Sequence, residues 1–494
     1  MSVRIRRSAG GAGQEAPDQP QSAPGDGDAT GGAVAGLRDE LAGLRELIER
    51  APFANPVQIQ ALNLLLRLRQ GELEEGLVGR VIQRLTLQAF RQRAERLRSY
   101  LGEVDPAANA RLLAALIRRL AEGEGGERLP FAVFRERMER VVYGFVVTAH
   151  PTFSLAVELQ RDLVALALDR DAAGRPLDEA ATAALLARVE AYPHRPELPL
   201  DLDGEHAQAT AAIENIQDAV RRLYGIVLEV ACELYPEEWR ALSPALVSIA
   251  SWVGYDTDGR SDISWATTFA KRLATQAHQL RRYRRRVADL ALQAEGTPHL
   301  APLLELIEAR LSLAIKACED ELQVFAAWAP GAEAWPEHLA RLSRAMAEGR
   351  ARRMTDSRQL VELIERVLAQ AEDEALAHGL AVLRAEVRTH GASLARTHVR
   401  INAIQLHNAI RKTIGMEHAA DDPSHRLSYL NAVTRLVEEA RPVTVNFGSV
   451  AGEKATAKRV FMTMVQMLKY LDASEPLRFL IAECETPFTL ITAL

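Results

Sequence analysis

Cysteine is scarce in this chain. Cys232, Cys318 and Cys484 are odd in number and far apart. They make no metal-ligand spacing and no disulfide framework, so a reducing, cytoplasmic setting is expected. Aromatic residues are only 5% of the total, and Leu, Ala and Arg dominate instead, the composition of a mostly helical protein. No apolar stretch approaches the roughly 18 residues of a membrane span, and the early arginines have no apolar run behind them, so neither a membrane helix nor a secretory signal is expected. Positive charge is not in surplus either. The net charge of −6 argues against a nucleic-acid partner, because little is left to neutralise phosphates. The local exception, Arg281-Arg-Tyr-Arg-Arg-Arg286, reads as the solvated face of a long helix.

The 494 residues suffice for two or three domains, or for one large enzyme core with insertions. Residues 1–33, rich in Gly, Ala, Gln, Pro and Asp, read as a disordered tail. The remainder, 34–494, reads as one helical region. Leu37, Leu41, Leu44 and Ile48 share a helix face, and Asp105-Pro106 is an N-cap followed by proline at the first helical position, opening a helix to about Ala121. Further helices are expected over about 56–100, 178–192, 206–234, 263–295, 300–328, 336–348, 357–389, 404–415, 424–440 and 453–471.

Four short runs break this pattern: 141–148, 246–254, 394–401 and 477–482. Each is apolar or β-branched and is soon followed by polar groups or a turn. Strands so far apart must pair in parallel, since every connection between them is long and helical. The expected fold is therefore mostly α with a parallel (β/α) component, the first four strands of a TIM-type barrel with large helical insertions.

The strand tips carry the candidate chemistry. Tyr143-Gly-Phe-Val-Val-Thr-Ala-His-Pro-Thr152 delivers His150 to the end of a buried strand, where the fold can hold an imidazole at a cleft or simply in a core beside a turn. The second tip is Ser251-Trp-Val-Gly-Tyr-Asp-Thr-Asp-Gly-Arg260. Gly254 and Gly259 permit sharp turns, with Asp256 and Asp258 between them. A calcium loop needs its glycine later than it comes here; the other local reading is a turn whose carboxylates cap the next helix. Arg400, in Thr397-His-Val-Arg-Ile-Asn402, offers a planar fork suited to phosphate, or a surface ion pair. Gly448-Ser-Val-Ala-Gly-Glu-Lys454 is not a Walker loop, and serine-hydrolase, zinc-protease and Cys-x-x-Cys motifs do not occur in the sequence.

Taken in order, these segments resemble phosphoenolpyruvate carboxylase of the bacterial type. His150 lies in a Thr-Ala-His-Pro-Thr motif, as in that family. Trp252, Gly254, Asp256, Asp258 and Gly259 match its Ser-Trp-Met-Gly-Gly-Asp-Arg-Asp-Gly-Asn-Pro motif, whereas Tyr255, Thr257 and Arg260 depart from it. Arg400 matches the arginine of Leu-Asp-Ile-Arg-Gln-Glu, and Phe479-Leu-Ile-Ala-Glu-Cys-Glu-Thr-Pro487 is similar in position to a fourth strand and helix. The resemblance runs from about residue 35 to Leu494 but covers only about half of the family's pattern.

The resemblance implies a carboxylating lyase that makes oxaloacetate and phosphate from phosphoenolpyruvate and bicarbonate. It gives His150 a catalytic role, places the substrate phosphate on Arg400, and has Trp252 wall the bicarbonate pocket, with Gly254, Asp256, Asp258 and Gly259 supporting the loop. It also implies Mg²⁺ or Mn²⁺ as Lewis acid for the enolate, with ligands expected beyond this chain rather than in it. A C-terminal complement, a homo-oligomer or both are expected as partners, and the chain alone is expected to be inactive or weakly active. Phe153 stands where the family has glutamate, and Ala156-Val157 where it usually has two arginines, which bears on substrate affinity. The alternative is a non-catalytic helical interaction protein, or a truncated relic of the same family.

Overall fold

Strands form at the four apolar runs: β1 (Tyr143–Val147), β2 (Val247–Ser251), β3 (Arg396–Asn402) and β4 (Arg478–Ala482). This computed structural model describes residues 26–51, 53–101, 105–148, 156–192, 201–260, 262–294, 297–326, 335–474 and 476–494. The strands make one sheet, all parallel, in the order β1-β2-β3-β4. Long, largely helical connections are what parallel pairing requires.

The rest is mostly helix. Before β1 come α1 (Asp26–Arg50), α2 (Pro56–Arg69), α3 (Glu75–Leu101), α4 (Pro106–Leu120) and α5 (Phe131–Met138). Helices α6 (Val157–Leu168), α7 (Glu179–Ala191) and α8 (Leu202–Leu234) lead to β2. Then α9 (Trp265–Gln293), α10 (Ala301–Ala326), α11 (Trp335–Glu348), α12 (Arg358–Leu368) and α13 (Glu374–His390) lead to β3. Finally α14 (Ala403–Ile410), α15 (Arg426–Glu439), α16 (Phe447–Gly452) and α17 (Thr456–Tyr470) lead to β4, and α18 (Pro487–Ala493) follows it. Among the described residues no helix is long and apolar enough to cross a membrane.

Several boundaries differ from the sequence reading, each for a local reason. Residues 26–33, expected in the tail, belong to α1, where Thr30 and Val34 are buried; burial overrides a glycine-rich composition there. The run 56–100 splits where Gly71 takes φ +73°, and 357–389 splits where Asp373 caps α13 by accepting the Leu376 N–H at 2.7 Å. The arginine run on α9 is an ion-pair network rather than a solvated face. Arg282 is buried, with Glu214 at 3.1 Å and Asp218 at 2.5 Å, two carboxylates one turn apart on α8.

The chain divides into two compact units, one within residues 1–104 and 153–197, the other within 105–152 and 198–494. The first holds α1–α3, α6 and α7, with Leu159, Leu163 and Val189 in its core. The second holds the sheet and the remaining helices. Its largest cluster joins α4, α5, α8, α9, α10, α12 and α13.

Alternation along the strands sorts the sheet into two faces. Val247 and Ile249 pack with Tyr224 of α8, while Val399 and Ile401 pack with Phe269 and Leu273 of α9. The opposite parity on β3 is polar: Arg396, His398, Arg400 and Asn402. β2 and β3 are the more buried strands, whereas β1 and β4 stand at the sheet's margins. Chemistry at the carboxyl ends of β2 and β3 therefore sits on the best-supported part of the sheet.

Candidate functional site

The polar tip after β2 is built by a turn that leaves the sheet and comes back. Tyr255 N–H donates to the Trp252 carbonyl at 2.8 Å, and Gly254 has φ +91°, a conformation that side chains rarely tolerate. The chain then rejoins β3 through a single parallel bridge between Asp256 and Arg400. Arg400 N–H donates to the Tyr255 carbonyl at 3.2 Å, and Thr257 donates to the Arg400 carbonyl from its N–H at 3.0 Å and its hydroxyl at 2.9 Å.

This backbone grip sets the side chains. Arg400 Nη1 lies 3.2 Å from Asp256 Oδ2, and Nη2 lies 3.1 Å from Asp258 Oδ2. The guanidinium sits 5.7 Å from the Trp252 ring centroid, within cation–π range. Asp258 N–H donates to Asp256 Oδ1 at 3.1 Å, and Gly259 takes φ +70° to turn the loop away. Trp252, Asp256, Asp258 and Arg400, distant in sequence, are thus one cluster, and both glycines stand at the turns expected of them. His150 lies outside the described residues, as do Thr152 and Phe153. The last described residue before it is Thr148, and the β1 end is tied to β2 by the Ser251 hydroxyl, which donates to the Val147 carbonyl at 2.9 Å.

The residues that depart from the carboxylase pattern have structural work. Tyr255 is buried with Trp265, Phe269 and Val399, and burial pushes its phenol pKa up. Thr257 anchors the tip, and its carbonyl also accepts from the Gln405 side chain at 2.9 Å. Arg260 pairs with Asp262 at 2.6 Å and with the buried Glu205 at 3.1 Å, so its charge is spent beside the loop. Helix α9 is capped by Ser264, which accepts the Thr267 N–H at 3.1 Å, so the loop carboxylates are not its cap. A calcium loop is disfavoured too, because a guanidinium already occupies the position between the two aspartates.

At the next tip, Asn402 forms a capping box with Gln405 at the start of α14 and donates to Glu483 Oε2 at 3.0 Å. Glu483 has φ +56°, a strained turn immediately after β4. The sequence reading passed over the cations beside Arg400. Arg396 and His398 share its face of β3, and Arg478 pairs in register with His398. Burial first, then the charges of Arg478 and Arg396, hold the His398 pKa below its usual value. The strict alternation Arg396-x-His398-x-Arg400-x-Asn402 was the available signal.

A hard divalent ion needs several oxygen ligands. Here Asp256 and Asp258 both face Arg400. Among the described residues one group of three potential metal ligands comes together, His418, Asp422 and His425, and it is nitrogen-rich and lies beyond α14. The residues around Arg400 do not fit Mg²⁺ or Mn²⁺.

No protein-family model matches this sequence, and no curated protein does.

Proposed function

We propose that this chain is the amino-terminal part of a phosphoenolpyruvate carboxylase-type enzyme. Its four sequential parallel strands are, in this reading, half of a (β/α)₈ barrel. The observation that carries the reading is the convergence of Arg400, Trp252, Asp256 and Asp258 at the carboxyl ends of β2 and β3, the end of such sheets where ligands bind.

In the proposed reaction Arg400 holds the substrate phosphate through its planar fork, Trp252 walls the bicarbonate pocket and excludes water, and His150 accepts the proton of carboxyphosphate as CO₂ is released. Asp256 and Asp258 hold the guanidinium until substrate arrives, so phosphate binding exchanges at least one carboxylate for phosphate oxygens. A divalent ion would be held by acidic ligands outside the described residues and would act as Lewis acid for the enolate, and no step above runs through it. Support for a complement comes from the sheet margins. Val142, Tyr143, Phe145 and Val146 are exposed at β1, beside an apolar groove of about 1020 Å³ lined by Leu116, Leu120 and Ile216, a surface that unpartnered proteins rarely leave open. A reducing, cytoplasmic setting belongs to the same reading and agrees with three free cysteines.

The test is titration of the chain with phosphoenolpyruvate, followed by phosphorus NMR. Saturable broadening that is lost in Arg400→Gln supports the reading, and identical spectra for the two proteins defeat it. A second reading, a non-catalytic interaction scaffold, is favoured by one observation: both terminal nitrogens of Arg400 already meet carboxylates. It predicts no phosphoenolpyruvate binding by the chain.

A further inference from the structure

We propose that the loop between α14 and α15 is a binding site for a late transition-metal ion of the zinc class, held by His418, Asp422 and His425. The site is separate from Arg400 and does not rest on the carboxylase reading.

Ligand atoms of the three side chains all lie within 4.8 Å of one another. Two ligands on one tetrahedral ion sit roughly 3.3–3.5 Å apart, given bonds of about 2.0–2.2 Å. Side-chain rotations that close the widest of these gaps by up to about 1.5 Å therefore complete it. The two imidazoles are already stacked, with ring centroids 4.3 Å apart and planes 21° from parallel. Nδ1 of His425 is buried without a hydrogen-bond partner, 3.5 Å from Asp422 Oδ1, too far for a good hydrogen bond. A buried ring nitrogen with no partner is costly unless something occupies its lone pair or takes its proton. An ion at the nitrogen edges of the two rings, facing the Asp422 carboxylate, does so.

The backbone that presents these groups is fixed, so little ordering is required on binding. Gly415 turns the chain at φ +62°. The Tyr429 hydroxyl accepts the N–H groups of Glu417 and His418, each at 3.2 Å, and its ring stacks on His425 at 5.6 Å. The Asp422 carbonyl accepts the N–H groups of His425 at 3.0 Å and Arg426 at 2.8 Å. Beneath the loop, Met416, Ala420, Tyr429, Val433 and Phe488 form a small core of their own. These contacts fix the backbone that carries the three ligands.

The donor set selects the metal. Two imidazoles and one carboxylate suit zinc, cobalt or nickel and do not suit magnesium or calcium, which want oxygen. Helix α15 opens at Arg426, so its positive end opposes a cation. The Asp422 carboxylate, within the cluster itself, offsets this.

The experiment is isothermal titration of the metal-stripped chain with Zn²⁺, and with Co²⁺ as a spectroscopic probe. One equivalent is expected to bind, with a cobalt spectrum of nitrogen and oxygen ligation and no thiolate band. His418→Ala, His425→Ala and Asp422→Asn each lower zinc affinity at least tenfold. Thermal unfolding in chelator shows that the variants fold, and zinc raises the midpoint of the parent chain only. Zinc affinity unchanged in the three variants, or a thiolate band, overturns the proposal.

Discussion

Asp256 pairs with Arg400 twice, once through the backbone bridge that returns the tip loop to β3 and once through its carboxylate, 3.2 Å from the guanidinium. Backbone pairing therefore dictates where the charge pair forms, and the pair in turn secures the loop. Arg400→Gln strands two partly buried carboxylates and is expected to cost about 1–3 kcal/mol of stability. Asp258→Asn removes one of two partners and costs under about 1 kcal/mol. Urea unfolding of both variants checks the order.

Gly254 and Gly259 differ in what a side chain would meet. At Gly254, φ is +91° and a Cβ would stand 3.2 Å from Lys271 Cγ; at Gly259, φ is +70° and nothing lies within 4 Å. Gly254→Ala is expected to cost about 2–3 kcal/mol and Gly259→Ala about 1 kcal/mol. Equal midpoints for the two variants in chemical unfolding contradict this account of the turn.

This loop also marks how far the sequence could be read. Parallel strands were legible at all four runs because each connection is too long for a hairpin, and the glycines announced the turn. Which carboxylates meet Arg400 was not legible, since the bridge partner of Asp256 lies 144 residues away. The cations beside Arg400 were written in the alternation of β3, but a short alternating run among helices has no assigned face until the sheet is known. His418, Asp422 and His425 passed unnoticed because Tyr429, eleven residues beyond His418, is what folds their loop.

Two buried groups give stability opposite pH slopes. His390 lies at the end of α13, where burial first, and then the charges of Arg282, Arg221 and Arg396, lower its pKa to about 3. The unfolded chain binds this proton near pH 6.5 and the folded chain does not, so its contribution is full above that pH and is lost as pH falls. Between pH 7 and pH 5 the loss is about 2 kcal/mol by linkage. Glu321 is the reverse: burial, opposed by Arg353 and Arg352, raises its pKa to about 7, so its contribution is present at low pH and is lost as pH rises through 7. Relative to the parent chain, His390→Asn should lose less stability on acidification and Glu321→Gln should gain less. Unfolding midpoints at pH 5, 6 and 7 decide both signs.

The Arg353–Glu321 pair, 2.8 Å apart and almost wholly buried, should tolerate loss of one partner poorly. Above pH 7, where Glu321 is ionised, Glu321→Ala leaves a buried guanidinium uncompensated and is expected to cost about 3–5 kcal/mol, and less at pH 5, where the carboxyl is protonated. The exposed pair Arg118–Glu233 at 2.6 Å is the comparison, and its removal should cost far less, because solvent screens it. Thermal unfolding of the two alanine variants separates the cases.

Exposed apolar residues on β1 are expected to favour association of the chain through that margin. Tyr143→Lys with Val146→Lys should convert concentration-dependent sedimentation into that of a single species without loss of helicity. Unchanged association of the double variant would assign it to another surface.

The most direct measurement is a coupled oxaloacetate assay with phosphoenolpyruvate, bicarbonate and Mg²⁺. It is run on the purified chain alone and mixed with a separately expressed carboxyl-terminal carboxylase half. The account predicts activity that appears on mixing and disappears with His150→Asn or Arg400→Gln. Absence of oxaloacetate in both tubes, or activity indifferent to these two substitutions, would contradict it.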